Sequence, residues 1–188
     1  MDNRVPATNP NDPLSLHLID GALLDAATAA AQASPRQRHI LRFHELPERV
    51  QRMVNALEPT TYAQPHQHRD PDKAEIFICL RGRAIVVRFT EDGAILETTL
   101  LAVGGPVLGV EIPPTAWHSV IALVPGTVLY EVKEGPYDAA TDKRFAPWAP
   151  AETDLAAAQA YLADLRQRLG LPPWQGYGVG DEEDEDLC

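Results

Sequence analysis

The stretch "YAQPHQHRDPDKAEIFICLRG", residues 62–82, sets His66 and His68 on alternate positions and puts Glu75 seven residues beyond the second histidine. Imidazole nitrogens and carboxylate oxygens are the donors that divalent transition metals take. Side chains alternate along an extended chain, so two histidines separated by one residue point to the same face. Pro65 favours an extended residue before it and supports that conformation. Glu75 opens the apolar run that follows the turn "RDPDK", on a face it shares with Phe77 and Cys79. Further along, "IPPTAWH" offers His118 as a fourth donor from a later strand. Three imidazoles and one carboxylate converging in a barrel would hold one divalent ion (Fe, Zn, Mn or Ni) and leave positions open for water or substrate.

Donors so far apart in sequence need a rigid frame. From Val50 to about Glu134 the chain runs in short β-branched and apolar segments, among them "AEIFICL", "AIVVRFT", "WHSVIAL" and "TVLYEVK", broken by "RDPD", "RG", "EDG", "GGP" and "VPG". Strands this close together leave no room for crossover helices, which predicts an antiparallel sandwich or barrel. Before it, Ile19, Leu23, Ala26, Ala27 and Ala30 recur at helical spacing, with Asp20 near the start and Ser34-Pro35 as a stop. After it, "TDLAAAQAYLADLRQRLG" predicts a second helix, with Thr153 as cap, Leu155, Leu162, Leu165 and Leu169 on one face, and Gly170 and Pro172 ending it. The expected division is a poorly ordered lead-in (1–15), an N-terminal helical segment (16–48), a β-barrel (49–150), a C-terminal helix (151–171) and a disordered acidic tail (172–188).

A chain of 188 residues can bury one core without a metal or a disulfide to hold it. Its net charge is −11, but six of the negatives lie in "DEEDED", 181–186, leaving about −5 for the rest. That balance argues against nucleic acid or an anionic membrane as partner. Cys79 and Cys188 make no paired framework, no signal-like segment opens the chain, and no apolar run is long enough to span a membrane. A soluble, cytoplasmic protein with a small-molecule ligand is expected. Residues 76–80, "IFICL", are apolar on both faces, so the outer face needs a helix or a second copy over it, and a homodimer is expected.

Four other charged residues are candidates for chemistry. Glu131 and Lys133 face one way on their strand and Tyr130 and Val132 the other; turned inward, the first pair would be acid–base groups near the metal. Arg83 and Arg88, near Arg81, could offer paired donors to an anionic substrate. Cys79 shares the face of Glu75, but a small buried hydrophobe needs no chemical role. The chain has no phosphate-cradling glycine loop, no nucleophile elbow and no basic stripe interleaved with aromatics.

The order of two histidines one apart, a glutamate, six residues and Gly82, then Pro113, four residues and His118, resembles the paired motifs of the cupin superfamily. The stretches "SPRQRHILRFHE", "VQRMVNALEPTTYAQPHQH", "VEIPPTAWHSV" and "YEVKEGPYDAATDKRFAPWAP" are similar to the WbuC-type cupin-fold metalloproteins over roughly residues 17–165. The last stretch is the most specific, because it lies outside the metal motifs. The resemblance implies an all-β cupin double-stranded β-helix, a jelly-roll barrel with flanking helices, and a metal at His66, His68, Glu75 and His118. It also implies an association, in some members, with bacterial surface-polysaccharide gene clusters, and it assigns no reaction. The chain departs from the general cupin pattern at Thr115, where glycine is usual, at Ala122, where asparagine is common, and in the longer gap from His68 to Glu75. The function expected is a metal-dependent enzyme acting on a small polar substrate, a sugar or sugar-nucleotide. The alternatives are an Fe(II)-dependent dioxygenase and a cupin that binds a small ligand without catalysis.

Overall fold

The computed structural model describes residues 3–174 apart from Pro10 and Pro13; the acidic run at 181–186 lies outside the described residues. In chain order the elements are α1 (Gly21–Ala33), β1 (Arg38–Arg42), β2 (Val50–Leu57), β3 (His66–Gln67), β4 (Glu75–Arg81), β5 (Arg83–Phe89), β6 (Ile95–Ala102), β7 (Gly109–Ile112), β8 (Trp117–Ala122), β9 (Thr127–Glu134), β10 (Arg144–Phe145) and α2 (Leu155–Arg168). The strands form two five-stranded sheets, β1-β2-β9-β4-β7 and β10-β3-β8-β5-β6. All of the pairings between these strands are antiparallel.

The pairings are nested: β2 with β9, β3 with β8, β4 with β7 and β5 with β6. A long hairpin folded back on itself in this way is a jelly roll, the double-stranded β-helix expected of a cupin. Gly82 makes the tight turn between β4 and β5 at φ +72, and a Cβ there would stand 2.7 Å from Thr127 Oγ1. The position therefore demands glycine on two counts.

Alternation along the strands divides inside from outside. Phe77, Cys79, Ala84, Val86, Leu101, Val120 and Leu129 fill the closed part of the barrel. The helices cover the outside. On α1, Ala27 and Ala31 pack with Leu23 and Leu24 against Val54, Ala56 and Val128. Asp20 caps this helix by accepting the amide of Leu23 at 2.9 Å. Its buried stripe is narrower than the spacing suggests, since Ile19 is 44% exposed. On α2, Ala158, Leu162 and Leu165 pack against Val87, Phe89 and Ile121 of the other sheet. Burial of each leucine contributes about 1.5–3 kcal/mol. The cap is Asp154 rather than Thr153, because the helix begins at Leu155 and Asp154 accepts the amide of Ala157.

Two segments differ from expectation. β1 lies within the stretch read as helical and adds an edge strand, a role hidden by the basic residues that make up more than half of it, "RHILR". The lead-in, expected to be poorly ordered, docks beside it: the Val5 amide donates to Arg42 O at 2.8 Å, the Arg42 amide to Asn3 O at 2.7 Å, and Val5 is buried. None of the described helices is long and apolar enough to cross a membrane.

Candidate metal centre

The two sheets bring His66 and His68 on β3 and the loop after it, Glu75 at the start of β4, and His118 on β8 to one place. All four are buried, and one donor atom from each lies within 4.8 Å of the others. Two opposed bonds of ~2.2 Å to one ion would span ~4.4 Å, so the cluster is close to the size of a coordination shell.

Each imidazole is held from behind. His66 Nδ1 meets Gln64 O at 2.9 Å, His118 Nδ1 meets Ala116 O at 2.9 Å, and His68 Nδ1 meets Asp142 O at 2.5 Å. A carbonyl can only accept, so each Nδ1 carries the hydrogen and each Nε2 keeps its lone pair for the centre. Bonds of this kind are what fix the tautomer and ring orientation of metal-bound histidines. His66 Nε2 and His68 Nε2 are buried without a hydrogen-bond partner, which a ligand for a metal explains. His118 Nε2 lies 2.9 Å from Glu75 Oε2. The residues present therefore fit a divalent ion.

Electrostatics favours the same state. Burial, reinforced by the Lys143 charge, holds His66 well below its ordinary value, so it is neutral. Burial alone would raise Glu75, but the rings of His118 and His68, whose Nε2 atoms stand 2.9 and 3.4 Å from its Oε2, outweigh it and hold the carboxyl well below its ordinary value. Burial and the neighbouring Glu75 charge push Glu131 the other way, up to about 8.

The register of the first sheet explains what surrounds the cluster. Gln51, Lys133 and Glu75 stand side by side across β2, β9 and β4. One level along come Arg42, Met53, Glu131 and Phe77, and the next holds Ile40, Asn55, Leu129 and Cys79. Glu131 and Lys133 therefore face inward, which settles the choice that alternation left open. Asn55 Nδ2 donates to Glu131 Oε2 at 3.2 Å. Lys133 donates to Asp142 Oδ2 at 2.6 Å, and Lys73 to Asp142 Oδ1 at 3.0 Å. Cys79 sits two levels from Glu75 among apolar neighbours, and its thiol points at the carbonyls of Arg81 and Gly82.

A cavity of about 440 Å³ runs from the cluster to the edge where β1 faces β10. Arg83 and Arg88, expected to meet a substrate, do not line it. Arg88 stands opposite His118 in register, but its guanidinium turns to Glu97 of the next strand at 2.9 Å. The basic residues on the cavity wall are instead Arg36, Arg38, Arg42, Lys133 and Lys143. Asp142, His44, Asn55 and Arg42 were missed by sequence reasoning. The only signal for Asp142 was its position in the long stretch "YEVKEGPYDAATDKRFAPWAP".

A model of the family described as Domain of unknown function (DUF6016) matches residues 19–101. No curated protein matches this chain. Among solved structures the chain is similar to KdgF from Halomonas sp., at 19% identity over 55% of this chain and 80% of that one, with a TM-score of 0.41. It is similar to the capsular polysaccharide assembling protein CapF from Staphylococcus aureus, at 24% identity over 60% of this chain and 32% of that one, with a TM-score of 0.44. It is also similar to a mutant of oxalate decarboxylase OxdC from Bacillus subtilis, at 19% identity over 66% of this chain and 29% of that one, with a TM-score of 0.43.

Proposed function

We propose that this chain is a WbuC-type cupin, a cytoplasmic metal-dependent enzyme acting on a sugar or sugar-nucleotide in surface-polysaccharide biosynthesis. The observation that carries the metal half of this reading is the set of three histidines, each with Nδ1 held by a backbone carbonyl and Nε2 turned toward Glu75. A bound divalent ion would supply Lewis acidity, polarising a carbonyl or hydroxyl of the substrate.

The chain's own residues then divide the work. His66, His68, His118 and Glu75 would hold the ion. Glu131 is the proton carrier of the inward pair, because Lys133 is engaged by Asp142 and carries its charge into an ion pair. Asn55 Nδ2 fixes one oxygen of Glu131, and the neighbouring Glu75 charge favours the protonated form of that carboxyl. A group that is protonated near neutrality and stands beside the cluster can give or take a proton at a substrate atom. The buried walls exclude bulk water from that exchange.

This reading also takes the protein as a homodimer. α1 and α2 cover the outer sheet faces, and part of the apolar exposure that remains lies near the β6–β7 corner, where Ile78 (40%), Leu100 (44%), Val103 (57%) and Leu108 (54%) face solvent, while Leu14, Leu16 and Leu18 are exposed ahead of α1. A dimer mass by light scattering at micromolar concentration is expected, and a monomer mass contradicts it.

The test of function is anaerobic incubation of the metal-loaded protein with sugars and nucleotide sugars in D₂O, followed by NMR. Isomerisation or deuterium incorporation that Glu131→Gln abolishes without loss of metal is expected. Turnover that requires and consumes oxygen would place the chemistry with dioxygenases, and no turnover under either condition would leave a binding module.

A further inference from the structure

The cavity wall holds charges and hydrogen-bonding groups that the proposed proton chemistry does not use. Among the cations lining it, Arg36 and Arg38 are both held by Glu152, the latter at 3.1 Å, and Lys133 by Asp142 at 2.6 Å. Arg42 and Lys143 make no ion pair among the described residues. The Arg42 Nε is buried without a partner. Lys143 lines the same cavity and directly follows Asp142, whose backbone carbonyl meets His68 Nδ1.

His44 adds a third donor. β1 ends at Arg42, and the amide of Arg52 on the neighbouring strand is left facing the His44 ring, donating to Nδ1 at 2.8 Å. Nδ1 also lies 2.8 Å from the Arg52 carbonyl, but that oxygen already receives the amide of Phe43, whereas the Arg52 amide can only donate and finds its acceptor in Nδ1. With Nδ1 as acceptor, Nε2 carries the hydrogen. That Nε2 belongs to a ring only 3% exposed, on the cavity wall, and it has no partner. Asn55 presents the opposite character: its Nδ2 is used by Glu131, while its Oδ1, also buried, accepts from nothing. Buried polar atoms are rarely left unsatisfied in a folded protein, and three such groups, Arg42 Nε, His44 Nε2 and Asn55 Oδ1, lining one cavity mark the place of a ligand.

We infer that Arg42, His44 and Lys143 form a subsite for the anionic group, a carboxylate or a phosphate monoester, of a small hydroxylated ligand whose other end reaches the cluster of His66, His68, Glu75 and His118. This deepens the proposed function by naming the substrate class, and it rests on that reading for the orientation of the ligand. Arg42 stands at the level of Glu131 and two strands away, ~10 Å between Cα positions at ordinary strand spacing, a gap that its side chain and a small ligand close together. A divalent ion with three neutral imidazoles and one carboxylate carries a net single positive charge, and Arg42 and Lys143 add two more in a site largely shielded from water. An anion between them relieves that repulsion and takes charge-assisted hydrogen bonds from all three donors. A ligand hydroxyl satisfies Asn55 Oδ1. The volume of about 440 Å³ falls within the ~300–1,000 Å³ of small-molecule sites.

The experiment is titration calorimetry of the metal-loaded protein with three probes: glucuronate, glucose 6-phosphate and glucose. At least one of the two anions should bind about tenfold or more tightly than the neutral sugar. Whichever does so identifies the group as carboxylate or phosphate. Arg42→Met and Lys143→Met should each bring that preference down to about threefold or less, with metal content by elemental analysis unchanged. Equal binding of all three probes, no anion binding up to about 10 mM, or an unchanged preference in both variants overturns the subsite. A protein that holds no metal yet prefers an anion through Arg42 and Lys143 overturns the metal reading and leaves the subsite standing.

Discussion

His68 and Asp142 are joined by a 2.5 Å hydrogen bond from the imidazole Nδ1 to the backbone carbonyl, across 74 positions of sequence. The carboxylate of the same aspartate bridges Lys73 and Lys133 at 3.0 and 2.6 Å. One residue thus fixes a candidate metal ligand with its main chain and neutralises two buried ammonium groups with its side chain. The loop after β9 is thereby tied to both the cluster and the cavity wall.

Removing that carboxylate leaves Lys73 and Lys133, each under 5% exposed, without their charge partner. Asp142→Ala is expected to cost about 3–5 kcal/mol in urea unfolding at pH 7, as the loss of one member of a buried ion pair does. Burial alone would raise the Asp142 carboxyl, but Lys133 and Lys73 outweigh it and hold it below its ordinary value. A depressed carboxylate contributes stability that is complete above about pH 4 and lost as pH falls through the lower native value. The gap between wild type and variant should therefore shrink on acidification below about pH 4, and equal stabilities at pH 7 contradict the bridge.

Thr115 occupies a left-handed conformation, φ 66, where the cupin pattern has glycine. A β-branched residue there is strained by about 1–2 kcal/mol, part of which glycine returns as unfolded-state entropy. Its amide donates to His68 O at 3.0 Å, a bond that any residue keeps. Thr115→Gly is expected to raise the thermal midpoint by a few degrees without changing metal content, read by differential scanning calorimetry. A lower midpoint means that the threonine side chain contributes more than its backbone costs.

Burial pushes the Cys79 thiol up from its ordinary value, so it stays protonated near neutral pH. Since the thiolate is the reactive form, iodoacetamide at pH 8 should leave Cys79 unmodified in the native protein and label it fully in urea, as read by peptide mass spectrometry. Rapid native labelling would show the barrel core open at that level.

The four candidate ligands were legible in the sequence because their signals are local: alternation places His66 and His68 together, and the turn before Glu75 and the proline-rich lead to His118 are written nearby. The barrel was legible from closely spaced strands. The cavity wall was not. Arg42 and Asn55 come to the same wall as Glu131 only through the registers of β1, β2 and β9, His44 follows from the end of β1, and β1 reads poorly because its inward positions alternate arginine with isoleucine. Arg88 illustrates the converse, since it pairs with His118 in register while its long side chain leaves for Glu97. The facing of Glu131 and Lys133 needed the whole sheet, because an aromatic and a valine on the opposite face fit an interior equally well.

The central claim is the metal, and it is tested most directly by elemental analysis of the purified chain beside its His118→Ala variant, with circular dichroism to confirm the β-fold in both. The account predicts close to one divalent transition metal per chain in the wild type and essentially none in the folded variant, because the barrel has its own apolar core. Equal metal content in the two proteins contradicts it.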